Sequence, residues 1–232
     1  MTIYELWVPS GLRNHPSRDM EQISSITVHT TGNHNQSATA EAHARFQYSG
    51  GGGRQASWHY TVDEAEIWQS FNDWQMCWHT GTVRGNESSI GVEICVNSRS
   101  GFAAACERSA ELVAQLLMQN NLEIEDVLQH HHWSGKNCPA ELRSGSWGLN
   151  WEDFIEMVKT YLPGNESESI IGALRQANVQ FNTAHWRGVF NGSIQPNKDW
   201  VKLLTSRVIE ARWRQLKPQQ IKRVLQVLLE TG

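Results

Sequence analysis

His130-His131-His132-Trp133-Ser134-Gly135-Lys136-Asn137-Cys138-Pro139 sets an imidazole and a thiol eight positions apart, with a lysine two positions before the thiol and a proline directly after it. Imidazole nitrogen and thiolate sulfur are ligands that zinc favours, and three protein ligands with one open position form its catalytic arrangement. A third ligand has to come from elsewhere in the chain. His29 is the candidate, because Ile26-Thr27-Val28-His29-Thr30-Thr31 is an apolar, β-branched run that reads as a strand. A strand end is a rigid place from which to aim a ligand. Three consecutive histidines also suit a solvated turn, so the stretch alone leaves a metal site and a polar loop as alternatives.

A second feature favours the metal. Glu93 stands in Ser89-Ile90-Gly91-Val92-Glu93-Ile94-Cys95-Val96, a segment of strand composition. A carboxylate between Val92 and Ile94 is costly to desolvate unless it has a partner or a task. Burial pushes such a group's pKa upward, toward the range of a general base.

Around these segments the chain alternates strand and helix patterns. Residues 1–22 read as an irregular lead-in and 23–30 as the first strand. Ala-rich residues 37–48 read as a helix with Ser37 or Thr39 as cap. Gly50 to Gly53 read as a flexible connector, with a substrate-facing lid as the alternative, and residues 58–63 and 67–71 as a strand pair. Residues 72–88 form a long loop rich in Trp, His, Gly and Asn, of a length that is often functional. Then follow the Glu93 strand, a helix over 103–119 with Leu112, Val113, Leu116 and Leu117 in helical period, a short strand 127–129 delivering His130, and a helix from Asn150 to Leu162. This order implies an α/β domain with a central mixed β-sheet flanked by helices.

Composition bounds the rest. The chain has 232 residues, 39% hydrophobic and 19% charged, enough for one catalytic domain and a small second unit. Residues 1–163 carry 10 Lys and Arg against 19 Asp and Glu, whereas residues 164–232 carry 10 against 5. Such asymmetry implies two parts with different partners, with the boundary at Pro163-Gly164. Four cysteines do not make a disulfide framework in a chain of this length. The first residues lack the basic and apolar regions of a secretory signal, and no apolar run reaches 18 residues. The expectation is synthesis in the cytoplasm, no membrane partner, and release by another route.

Val28-His29-Thr30-Thr31, Ser57 to Asp63, Trp78-His79-Thr80-Gly81, Asn86 to Cys95 and His130 to Pro139, in this order, resemble the zinc-dependent N-acetylmuramoyl-L-alanine amidases. That family includes phage endolysins and bacterial autolysins and shares its fold with peptidoglycan-recognition proteins. The resemblance covers residues 20–162. It implies Zn²⁺ held by His29, His130 and Cys138, with Glu93 as proton carrier and Lys136 beside the developing oxyanion. The eight-residue spacing to Cys138 selects His130 over His131 and His132. The bond cut would be the amide joining N-acetylmuramic acid to L-alanine of the peptidoglycan stem peptide. His79 and Trp58 match substrate-lining positions, the tryptophan standing where some relatives carry a tyrosine.

Residues 164–232 lie beyond the resemblance. Residues 169–178, 197–216 and the stretch after Pro218 look helical, which implies a small all-α C-terminal domain. Its net +5 suits anionic wall polymers, with a dimerising unit as the alternative, and no nucleic-acid-binding motif is visible. For the whole chain the competing class is a non-catalytic peptidoglycan receptor. Retention of Cys138 argues against it, because a receptor needs no metal ligand.

Overall fold

The computed structural model describes residues 1–162, so the helices and separate domain expected over 164–232 lie outside the described residues. Six strands form one sheet: β1 (Tyr4–Glu5), β2 (Ser25–Thr30), β3 (Tyr60–Val62), β4 (Ile67–Gln69), β5 (Ser89–Ile94) and β6 (Val127–Gln129), in the order β1-β4-β3-β5-β2-β6. Only the β3–β4 pair is antiparallel, so the sheet is mixed, as the alternation of elements implied.

The centre of the sheet follows from two six-residue patterns. Ser25-Ile26-Thr27-Val28-His29-Thr30 pairs in parallel with Ser89-Ile90-Gly91-Val92-Glu93-Ile94, residue for residue. Successive side chains point to opposite faces. Ile26, Val28, Ile90 and Val92 therefore share one face, and Thr27, His29, Ser89 and Glu93 share the other. Both strands are buried except for a half-buried Glu93, so the second face is polar and yet covered. Two of its hydroxyls pair internally: Thr27 Oγ1 lies 2.5 Å from Ser89 Oγ and accepts from the Trp133 indole N–H at 2.8 Å.

Helices enclose the sheet. α1 (Ala40–Tyr48) packs on β3 and β4, and Thr39 caps it by accepting the Ala42 N–H. α3 (Phe102–Asn120) crosses β2, β3 and β5 with Phe102, Leu112, Leu116 and Leu117 buried. It ends on Asn121, whose φ of 58° is a left-handed conformation that asparagine tolerates. α6 (Trp151–Tyr161) starts at Asn150, whose side chain accepts the Asp153 N–H.

Three local readings need correction. The lead-in is not wholly irregular, because Tyr4–Glu5 adds a strand to the edge beside β4. The long loop 72–88 contains a one-turn helix, α2 (Val83–Asn86), whose cap Thr82 accepts the Gly85 N–H. Gly50 to Gly53 all take positive φ between 60° and 93°, a region glycine enters at no steric cost, and Gly51 lines the main cleft instead of merely connecting.

Candidate metal centre

The polar face of β2 and β5 ends in His29 and Glu93, which are register partners on neighbouring strands. β6 pairs with β2 through Val28↔Gln129, so the next residue, His130, arrives beside His29 as the first residue of α4 (His130–Ser134). The return to Cys138 is short. α4 stops on Gly135 with φ 73°, and the His131 N–H donates to the Cys138 carbonyl at 3.0 Å. The Ala140 N–H then donates to Thr30 Oγ1 at 3.2 Å, which ties the start of α5 (Ala140–Ser144) to the end of β2. The spacing of eight thus reflects one helical turn, one left-handed glycine and a reversal.

His29 Nδ1 lies 3.0 Å from His130 Nδ1, 3.8 Å from Cys138 Sγ and 4.0 Å from Glu93 Oε1. Ligand atoms of His29, His130 and Cys138 all fall within 4.8 Å of one another, and all three residues are buried. The donor set fits a metal ion for a chemical reason. Burial is the main cause that holds His29 well below the ordinary imidazole range and takes His130 down to about 4, with the Lys136 cation adding in the same direction. Both rings are therefore neutral at pH 7, as metal ligation requires. The Cys138 thiol moves the other way, to about 12, through burial and the nearby Glu93. A dication would favour its thiolate.

Glu93 sits at the same corner with its carboxyl raised to about 8, chiefly by burial. Its Oε2 is buried and has no hydrogen-bond partner. Lys136 is exposed at the cleft, and its charge pulls Glu93 back down. The cleft of about 650 Å³ is lined by His29, Glu93, His130, Lys136, His79 and Trp58, together with residues of α1. It brings together six of the site residues that the sequence singled out, and the seventh, Cys138, is buried beside His29. His131 and His132 are exposed and do not line the cleft.

The two substrate-lining candidates have additional duties. The Trp58 indole N–H donates to Thr61 Oγ1 at 2.7 Å, so the ring is braced against β3. His79 Nδ1 lies 3.0 Å from His29 Nε2, and His79 Nε2 donates to the Ser89 carbonyl at 3.0 Å. Sequence reading missed this inward use of His79, and also missed what holds it. Asn86 Oδ1 accepts from the His79 N–H, the Thr80 N–H and the Thr80 hydroxyl. The Asn86 that opens a quoted motif was the available signal. His59 lies behind: its Nδ1 accepts the Gly91 N–H and its Nε2 donates to the Gln75 carbonyl. His34 contacts Glu141 at 3.1 Å.

A family model described as N-acetylmuramoyl-L-alanine amidase matches residues 19–141, a span that contains the three candidate ligand residues, Glu93 and Lys136. The chain belongs to this family. It is 33% identical over 197 residues to the N-acetylmuramoyl-L-alanine amidase XlyA of Bacillus subtilis, covering 84% of this chain. The amidase CwlH of the same organism is 33% identical over 163 residues, 69% of this chain. The match spans 62% of the length of each of these curated relatives. Among solved structures, the catalytic domain of XlyA superposes with a TM-score of 0.62 at 35% identity, covering 68% of this chain and 99% of that one. A mutant endolysin from Bacillus subtilis gives 0.62 at 36% identity, covering 68% and 98%.

Proposed function

We propose that the chain is a zinc-dependent peptidoglycan hydrolase that cleaves the amide between N-acetylmuramic acid and L-alanine of the stem peptide. The convergence of His29, His130 and Cys138 at one end of a cleft, with Glu93 on the neighbouring strand, is the observation that carries this reading. The similarity to Bacillus subtilis amidases and to a solved endolysin structure supports it. A zinc ion held by these three residues supplies a Lewis acid that polarises a carbonyl and lowers the pKa of water toward ~7.

The chain's own residues do the remainder. Glu93, desolvated and with one oxygen free, takes up a proton during attack and returns it to the leaving amine. Lys136 places a positive charge where the oxyanion develops. Trp58, braced by Thr61, forms an aromatic wall of the cleft on which substrate can lie.

Zymography on purified walls tests this directly. Clearing should vanish with a chelator and return with zinc. Undiminished lysis under chelation, or full activity in Glu93→Ala, would overturn the mechanism.

The same proposal extends to the whole chain. Host lysis in the manner of a phage endolysin, with the protein made in the cytoplasm and reaching the wall by another route, follows from the endolysin likeness. Residues 164–232, with their excess of basic residues, form the wall-binding domain and bind anionic wall polymers. The full chain carrying Glu93→Gln should sediment with walls, and should lose that binding in high salt or when the anionic polymers are stripped. Unchanged sedimentation after stripping would remove the anionic ligand.

A further inference from the structure

We infer that His79 is a positioning residue that locks His29 into one tautomer, with its Nδ1 lone pair facing His130 and Cys138, through a hydrogen-bond chain anchored on the Ser89 carbonyl. The inference rests on the metal reading proposed above and concerns only residues of this chain.

The chain of bonds has one consistent direction. A carbonyl oxygen only accepts, so His79 Nε2, 3.0 Å from the Ser89 oxygen, carries a hydrogen. A neutral imidazole has a single N–H, which leaves His79 Nδ1 with its lone pair. That atom lies 3.0 Å from His29 Nε2, so His29 Nε2 must be the donor. His29 Nδ1 is then bare, and it is this atom that stands 3.0 Å from His130 Nδ1 and 3.8 Å from Cys138 Sγ. The backbone of β5 therefore dictates the protonation pattern of a ligand on β2 through one intervening ring.

The ring of His79 has no room to escape this role. Gly91 lies beneath it, and a Cβ there would come within 2.8 Å of His79 Nδ1. The rings of His29 and His79 meet edge to face, with centroids 5.2 Å apart and planes at 72°. His59 closes the far side at 5.9 Å, and the Asn86 side chain holds the His79 backbone. Both nitrogens are used within the protein, so His79 can offer substrate the edge of a ring but no polar atom. Partners that orient metal-ligating histidines are worth about 10–100-fold in metal affinity when removed.

Two measurements on the full chain test the proposal, and neither reads lysis. Zinc affinity is measured by competition with a chromogenic chelator for wild type, His79→Leu and His79→Asn. Leucine removes the acceptor, and affinity should fall about 10–100-fold. Asparagine carries an amide oxygen near the Nδ1 position, and should restore affinity to within about threefold of wild type. Nitrogen-15 spectra of the metal-free wild type should show His29 as the Nε2–H tautomer, a result that does not depend on any variant folding. A folded His79→Leu protein with wild-type affinity would overturn the relay alone, as would a His29 that carries its proton on Nδ1. A wild type that fails to bind zinc would overturn the metal reading as well.

Discussion

At the centre of the sheet β2 and β5 are covered on both faces, whereas at its edge β1 pairs only with β4 and leaves Tyr4 exposed, stacked on Trp68 at 5.2 Å. The same residue types mean different things in the two places. A histidine or glutamate in a buried central strand costs several kcal/mol unless it has a partner or a task, so its presence is informative. On an edge strand a glutamate such as Glu5 is solvated and costs almost nothing. Function concentrates where polarity is expensive.

Glu93→Gln should break the comparison most sharply, because it separates the chemical value of a buried charge from its stability cost. Lysis should fall about 10²–10⁴-fold while zinc content stays unchanged. Stability of the metal-free protein should rise. Burial lifts the folded-state carboxyl to about 8, above its ordinary value of 4.5. The folded state thus binds the proton more tightly, and that stabilising contribution is complete below pH 4.5 and lost as pH climbs to about 8. Glutamine has no such loss, so its advantage in urea melts should grow across this window and then level off, at up to about 5 kcal/mol. Equal stability at pH 8 would mean that the carboxylate is compensated by a partner in solution.

Lys136→Met comes next. Its cation lowers the Glu93 carboxyl, so its removal should move the acid limb of the kcat/KM profile toward higher pH, as well as lowering kcat by about 10²-fold. An unmoved limb would place the lysine outside the field of Glu93.

The parts of this corner that were legible in the sequence share one property. His29, Glu93, His130 and Cys138 each announce themselves locally, either as a polar residue in a strand pattern or by the return spacing of a short turn. The mixed sheet was readable for the same reason, since the β2 and β5 patterns are long enough to show their period. What escaped is either too short to show a period or depends on partners away from it in the chain. α2 is a single turn, too short for any periodicity, and it exists because Thr82 caps it and Asn86 holds the 79–80 backbone. β1 is two residues long and becomes a strand only because β4 offers it an edge. His79 does line the cleft, but nothing near it in sequence reveals its bonds to the Ser89 carbonyl and His29. The positive φ of Gly50 to Gly53 could be suspected from glycine itself, but the contact of Gly51 with the cleft could not.

Gly91→Ala sits between the extremes and tests whether the centre is as tightly specified as its burial suggests. The new methyl would meet His79 Nδ1 at 2.8 Å, so the ring must shift. A cost of about 1–3 kcal/mol in urea melts is expected for such overpacking, together with weaker zinc binding. A variant that keeps wild-type stability would show slack around the His79 ring.

The smallest effect belongs to the edge. Tyr4→Ala removes an exposed ring and its stacking on Trp68, an interaction worth about 0.5–1.5 kcal/mol when well formed and less where solvent reaches it. The strand's backbone pairing with β4 does not need the side chain, because the Leu6 N–H still donates to the Gln69 carbonyl at 2.9 Å. Lysis and zinc affinity should therefore match wild type, and the loss in stability should stay below about 1 kcal/mol. A Tyr4→Ala protein with impaired zinc binding would mean that β4 and β3 transmit edge distortions to β5. The site would then depend on the register of the whole sheet, and its sensitivity would no longer end at the two central strands.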